Sequence, residues 1–191
     1  MLKLEKDCEQ AGIPASQLME NAGRGMAEAL LGLFGSEKRY LFVCGSGNNG
    51  GDGFAAARIL HQQDIKAFVF FCSDPSRMAS PAKLFYERLP ATIFSDDFAY
   101  PDILIDCLLG TGLNGKIREP VRSMIQKINT SGKTIVSCDV PSGMHPDTGI
   151  IDDIAVHASL VLCMHDVKKG IDTHKYKTIV IPIGIPPWLS S

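Results

Sequence analysis

Six short runs in this chain are apolar at almost every position: YLFVC (residues 40–44), KAFVFFC (66–72), DILIDCLL (102–109), TIVSCDV (134–140), SLVLCM (159–164) and KTIVIPI (177–183). A strand with one wet face alternates apolar and polar residues. A run without that alternation is buried on both faces, which is the condition of a parallel sheet covered by helices above and below. Helix-like stretches fall between the runs, over residues 53–62, near 81–89 and over about 119–129. Ahead of the first run, residues 14–34 place Leu18, Ala22, Met26, Ala29, Leu30 and Leu33 on one broad apolar stripe. The pattern predicts an α/β protein, a three-layer αβα sandwich with a mostly parallel central sheet. At 191 residues the chain fits one domain over 1–191, with 45% hydrophobic residues to fill its core.

Charge narrows the function classes. The formal net charge is -2 and the 21% of charged residues are mixed in sign, so there is no basic field to hold nucleic acid. No apolar run reaches the ~20 residues that span a bilayer, and the opening MLKLEKDCEQ is too charged for a signal peptide. Five of the six cysteines (Cys44, Cys72, Cys107, Cys138 and Cys163) lie in or at the end of apolar runs, and none has CxxC spacing. They read as buried thiols in a reducing compartment, and the chain as a soluble cytoplasmic protein with no membrane partner.

Ligands of parallel α/β sheets bind beyond the carboxyl ends of the strands. Three polar, glycine-rich segments follow strands here: GSGNNGGDG after the first, GTGLNGK after the third and PSGMHPDTG after the fourth. The first contains a literal GxGxxG in Gly45, Gly47 and Gly50, a weak signal for a phosphate cradle alone. Asp52 would repel a phosphate there, and it reads as a cap of the helix that follows. Asp106 interrupts an apolar strand, which calls for a partner, either a bound cation or a buried lysine or arginine. Asp139 ends the fourth strand in CDVPSG, where Ser142 adds a hydroxyl. Asn49, Asp106 and Ser142 offer only hard oxygen donors. If they converge, one carboxylate among neutral oxygens suits a monovalent cation better than zinc or copper.

Taken together these motifs resemble the NAD(P)H-hydrate epimerases, also called YjeF N-terminal domains. GIPASQLMENAG, CGSGNNGGDGFAAARIL, DCLLGTGLNGKIREP, CDVPSGMHPDTG, ASLVLCMHDVKKG and IVIPIGIP carry the resemblance over nearly the whole chain. The joint occurrence of NNGGDG and DVPSG makes it specific. It implies a Rossmann-like fold and an isomerase that interconverts the R and S epimers of hydrated NADH and NADPH (NADHX and NADPHX) in nicotinamide nucleotide repair. It further implies one potassium ion per subunit, ligated by Asn49, Asp106 and Ser142. Asn48, Asn49, Gly50, Gly51 and Asp52 would line the substrate, as would Gly110, Thr111, Gly112, Leu113, Asn114, Gly115 and Lys116. Asp139 would meet the nicotinamide end as the catalytic carboxylate, supplying a proton to the departing hydroxyl, stabilising the cation and activating the returning water.

Many bacterial relatives carry a dehydratase domain after this one. The expectation for this chain is an ADP- or ATP-dependent dehydratase that either sits on a separate chain or has been trimmed from this one. The wide stripe of residues 14–34 leaves room for a homodimer. Two other readings compete. One is a binding or protein-interaction module on the same fold, which is free to lose Asp106, Asp139 or the paired asparagines, all present here. The other is a dehydrogenase holding a ribose through Asp74, which leaves DVPSG and NNGGDG unused. His145 and His165 follow strand-end motifs without an assigned role, and Lys168 in VKKG reads as a solvated charge.

Overall fold

Each apolar run forms a strand: β1 (Tyr40–Cys44), β2 (Ala67–Phe71), β3 (Ile103–Cys107), β4 (Thr134–Cys138), β5 (Leu160–Met164) and β6 (Lys177–Ile181). The structure, a computed structural model, describes residues 2–78, 80–112 and 116–189. The strands make one six-stranded sheet in the order β2-β1-β3-β4-β5-β6. Every neighbouring pair is parallel, so the sheet is parallel throughout rather than mostly so.

The pleat divides the apolar residues between two cores. Tyr40, Phe42 and Cys44 point to one face with Ile103, Ile105 and Cys107, while Leu41, Val43 and Leu104 point to the other. Helices α2 (Ala15–Phe34), α3 (Asn48–Gln62) and α4 (Ala82–Glu87) cover the first face. Helix α5 (Val121–Asn129) lays Met124, Ile125 and Ile128 on the second. This is the three-layer sandwich. Phe42 and Phe54 are fully buried between α3 and the sheet, where truncation of either to Ala costs about 3–5 kcal/mol.

Three details depart from the sequence reading. Helix α1 (Leu2–Gln10), a charged segment without a strong stripe, packs Cys8 into the first core. In α2, Leu33 is exposed at 39% while Met19 and Ala27 are buried, so the stripe turns toward the amino half. Helix α3 starts at Asn48 rather than near residue 53, with Gly47 as its extended N-cap. The glycines that read as loop are wound into its first two turns. No helix among the described residues is long and apolar enough to cross a membrane.

Strand order reverses between β1 and β3. In a doubly wound sheet this reversal opens a crevice at the carboxyl ends of the two strands.

Candidate active site

The crevice is built by packing α3 tightly onto the ends of β1 and β3. Gly45 N donates to Cys107 O at 3.0 Å, keeping the chain on the sheet one residue past β1. A Cβ on Gly45 would lie 2.1 Å from Leu108 O, and one on Gly50 would lie 1.9 Å from Gly45 O. Only glycine permits these approaches without moving backbone. They bring Asn49, buried at 7% exposure, against the loop that follows β3. Its Nδ2 donates to Leu109 O at 2.9 Å, whereas its buried Oδ1 has no hydrogen-bond partner.

Asp106 is fully buried on the α5 side of the sheet, in register with Val43 of β1 and Ser137 of β4. Its Oδ2 accepts from Ser137 Oγ at 2.7 Å and from Ser142 N at 2.9 Å. Oδ1 accepts from Ser142 Oγ at 2.5 Å and from Leu108 N at 3.3 Å. Burial pushes the carboxyl above the ordinary range, and the hydrogen bonds from Ser142, Ser137 and Leu108 oppose that shift. Among the described residues no lysine or arginine pairs with it. Ser142 Oγ accepts from Leu109 N at 2.9 Å and sits 3.1 Å from Leu109 O, whose carbonyl holds Asn49. Asn49, Asp106 and Ser142 therefore belong to one connected network. An orphaned amide oxygen, a hydroxyl and a single carboxylate lacking a counter-charge form a donor set that fits a monovalent cation. Among the described residues no group of three or more His, Cys, Asp or Glu forms a metal cluster of the zinc type.

Asp139 stands at the end of β4 with φ 66°, a left-handed conformation uncommon for a non-glycine residue. Its N–H donates to Leu162 O at 2.8 Å, so the chain turns while still tied to β5. Met164 N donates to Asp139 Oδ1 at 3.1 Å, and Lys168 Nζ forms an ion pair with the same oxygen. Lys168 also donates to Met164 O at 2.6 Å and Asp166 O at 3.1 Å. Both side chains of the pair are only 9% exposed. Lys168 is thus a buried partner and not the solvated charge its sequence context predicts. Nothing in VKKG marks which lysine folds inward.

These elements enclose a cavity of about 490 Å³. Asn48, Asn49 and Asp52 of α3 line it. So do Gly110, Thr111 and Gly112 of the following loop, and Asp139 faces them from β4. Gly50 and Gly51 lie behind this wall, against Gly45 O and the Met19 side chain. Lys116 is exposed and outside the lining, and Leu113, Asn114 and Gly115 fall outside the described residues. Asp52 is not a helix cap. It lies in the second turn of α3, which begins at Asn48, and its place on the cavity wall is where the early start of the helix puts it. Asp74 instead caps a short 3-10 turn through Ser76 N at 2.9 Å, and neither it nor His145 nor His165 lines the cavity.

An apolar wall completes the cavity. Leu18, Met19 and Ala22 from the first turns of α2, with Met164 and Ile183, close the side facing the polar loops. These residues looked like plain core, because helical spacing does not distinguish core from cavity wall. Nearby, the Cys138 thiol is held well above its ordinary range by its hydrogen bond with Cys107, by burial and by the charges of Asp52 and Asp139. It stays a neutral, inert thiol.

The parallel sheet, the crevice at its switch point and the polar loops define a Rossmann-like α/β protein with a ligand site at the carboxyl edge. Residues 15–170 match the family described as YjeF-related protein N-terminus, and the chain belongs to that family. It is 37% identical to a bifunctional NAD(P)H-hydrate repair enzyme Nnr of Pyrobaculum aerophilum, over 98% of this chain and 41% of that protein. It is 39% identical to the protein of the same name from Methanothermobacter thermautotrophicus, over 98% of this chain and 40% of that one. The chain thus spans about two fifths of the length of these relatives. The crystal structure of yeast YNL200c shares the fold, with a TM-score of 0.79 at 22% identity over 94% of this chain and 84% of that one.

Proposed function

We propose that residues 1–191 form one NAD(P)H-hydrate epimerase domain, which interconverts the R and S epimers of NADHX and NADPHX. The observation that carries this reading is the position of Asp139, a strained, ion-paired carboxylate on the wall of a cavity shared with Asn48, Asn49 and Gly110.

Inversion at C6 of the hydrated nicotinamide ring proceeds either by opening and reclosing the ring at the C6–N bond or by breaking the C6–O bond and re-forming it on the opposite face. We infer the second route. As the hydroxyl leaves with a proton, the ring nitrogen donates its lone pair and a flat iminium cation results. A carboxylate at Asp139 stabilises that cation and takes a proton from the water that re-adds. By microscopic reversibility the same group returns the proton to the departing hydroxyl. Asn48, Asp52 and the backbone of residues 110–112 orient the substrate. The apolar wall of Leu18, Met19 and Met164 limits access of bulk water. Gly50, Gly51 and Lys116 are assigned to the same substrate site, the two glycines through close packing of the loop.

Asn49, Asp106 and Ser142 would hold one potassium ion per subunit. Bound there, the ion supplies a fixed positive charge that compensates Asp106 and orders the loop after β3. The S epimer is the form a nucleotide-dependent dehydratase consumes, and the bifunctional character of the repair enzymes this chain resembles supports coupling to such an activity using ADP or ATP. A homodimer is part of the same reading, and sedimentation velocity tests it.

The functional test is a coupled assay on mixed epimers of hydrated NADH with an S-specific dehydratase and ATP. Without epimerase the S fraction is consumed quickly and the R form slowly. Addition of this protein with potassium present is expected to remove the slow phase. A persistent slow phase would favour a non-catalytic binding module.

A further inference from the structure

We propose that Lys168 is the positioning residue for Asp139, fixing one carboxylate oxygen and balancing its charge so that the other is presented to the cavity. The inference rests on the epimerase reading of the site and adds to it a residue that lies outside the cavity lining.

The geometry is a closed ring. Asp139 Oδ1 accepts from Met164 N at 3.1 Å, and Lys168 Nζ donates to Met164 O at 2.6 Å. The same ammonium pairs with Asp139 Oδ1 and donates to Asp166 O at 3.1 Å. Two of the ammonium's three N–H donors go to backbone carbonyls and its charge is paired with Asp139, and Lys168 does not line the cavity. Among the described residues the side-chain contacts of Asp139 fall on Oδ1, while the residue itself faces the cavity.

Stability alone is a weak reason for such a pair. Desolvating two charges offsets much of their attraction, so a buried ion pair contributes little net stability compared with apolar residues of the same volume. A reaction that develops positive charge at a ring gains from a carboxylate whose position is set in advance. The left-handed backbone at Asp139 fits the same purpose. Without the ring through Met164 and Lys168, this side chain would be free to turn off the cavity wall.

The test is a double-mutant cycle with Lys168→Met, Asp139→Asn and the double variant, assayed for kcat and KM on the epimer mixture. Lys168→Met is expected to lower kcat by about 100-fold or more with KM changed by less than about threefold. In the Asp139→Asn background it is expected to cause no further loss. The double variant carries no lone buried charge, so it keeps the comparison available if Lys168→Met alone folds poorly. Wild-type-like kcat in folded Lys168→Met, or a further tenfold loss in the double variant over Asp139→Asn, would overturn the positioning role and leave the epimerase standing. Wild-type protein that fails to convert the R form would sink the epimerase reading and this role with it.

Discussion

Two aspartates mark the two ends of strand β3, and they live in opposite worlds. Asp102, just before its first residue, meets Arg39 through two side-chain hydrogen bonds of 2.8 and 3.0 Å and takes a third from Arg39 N at 3.0 Å. That pair is solvent-accessible, Arg39 stacks over Tyr100, and the arginine holds the Asp102 carboxyl well below the usual range. Asp106, near the strand's other end, is fully buried, receives only neutral donors and is pushed upward. At the amino edge the carboxylate has its counter-charge. The carboxyl edge leaves one charge and one amide oxygen unmet, and it also holds the left-handed residues Asp139 and His165. A third left-handed non-glycine residue, Asp64, only closes the turn before β2 at the amino edge. The unmet charge and amide oxygen gather at the carboxyl edge, where function is expected to sit.

The sharpest break of this comparison is chemical. Asp139→Asn keeps the shape of the cavity wall but removes its charge. Turnover in the coupled assay is expected to fall by about 10²–10⁴-fold with KM little changed.

Next comes stability. Asp106→Ala strands the Ser137 hydroxyl and the Ser142 and Leu108 amides in a buried site, and leaves the Ser142 hydroxyl only its Leu109 partners. Urea unfolding should show a loss of about 3 kcal/mol or more. Asp102→Ala, at a screened and accessible site, should shift the midpoint far less. Equal losses at the two positions would erase the contrast.

A third prediction concerns the cation. Potassium chloride should raise the melting temperature above that in choline chloride at equal ionic strength. A concentration 100-fold over Kd corresponds to about 2.7 kcal/mol, and Asp106→Asn should abolish the gain.

The smallest effect belongs to the amino edge. Burial, with the charge of Asp102, lifts Tyr40 from 10.0 to about 12, so the folded state favours the neutral phenol, which donates to Gly35 O at 2.6 Å. That stability is intact below pH 10 and is lost as pH rises toward 12. In alkaline melts Tyr40→Phe should flatten the decline over this window.

Much of this was legible in the sequence because it depended on local contradiction. A carboxylate in an unbroken apolar run marked Asp106, and continuous apolar runs marked the parallel sheet. Other features depend on distance in the chain. Lys168 pairs with a residue 29 positions earlier (168 − 139), and no local pattern separates it from Lys169. The start of α3 was hidden for a different reason. Glycine lowers helix propensity, so NNGGDG reads as loop. Its packing against Gly45, Cys44 and Cys107 overrides that preference and carries Asp52 from a cap to the cavity wall.

The most direct measurement uses no coupling enzyme. The isolated R epimer of hydrated NADH is incubated with the protein in potassium buffer, and the S epimer is followed by chromatography. Wild type is expected to drive the sample to the equilibrium mixture far faster than the spontaneous reaction, while Asp139→Asn tracks the blank. Wild-type protein that leaves the R epimer to decay at the spontaneous rate would contradict the assignment of this edge as an epimerase site.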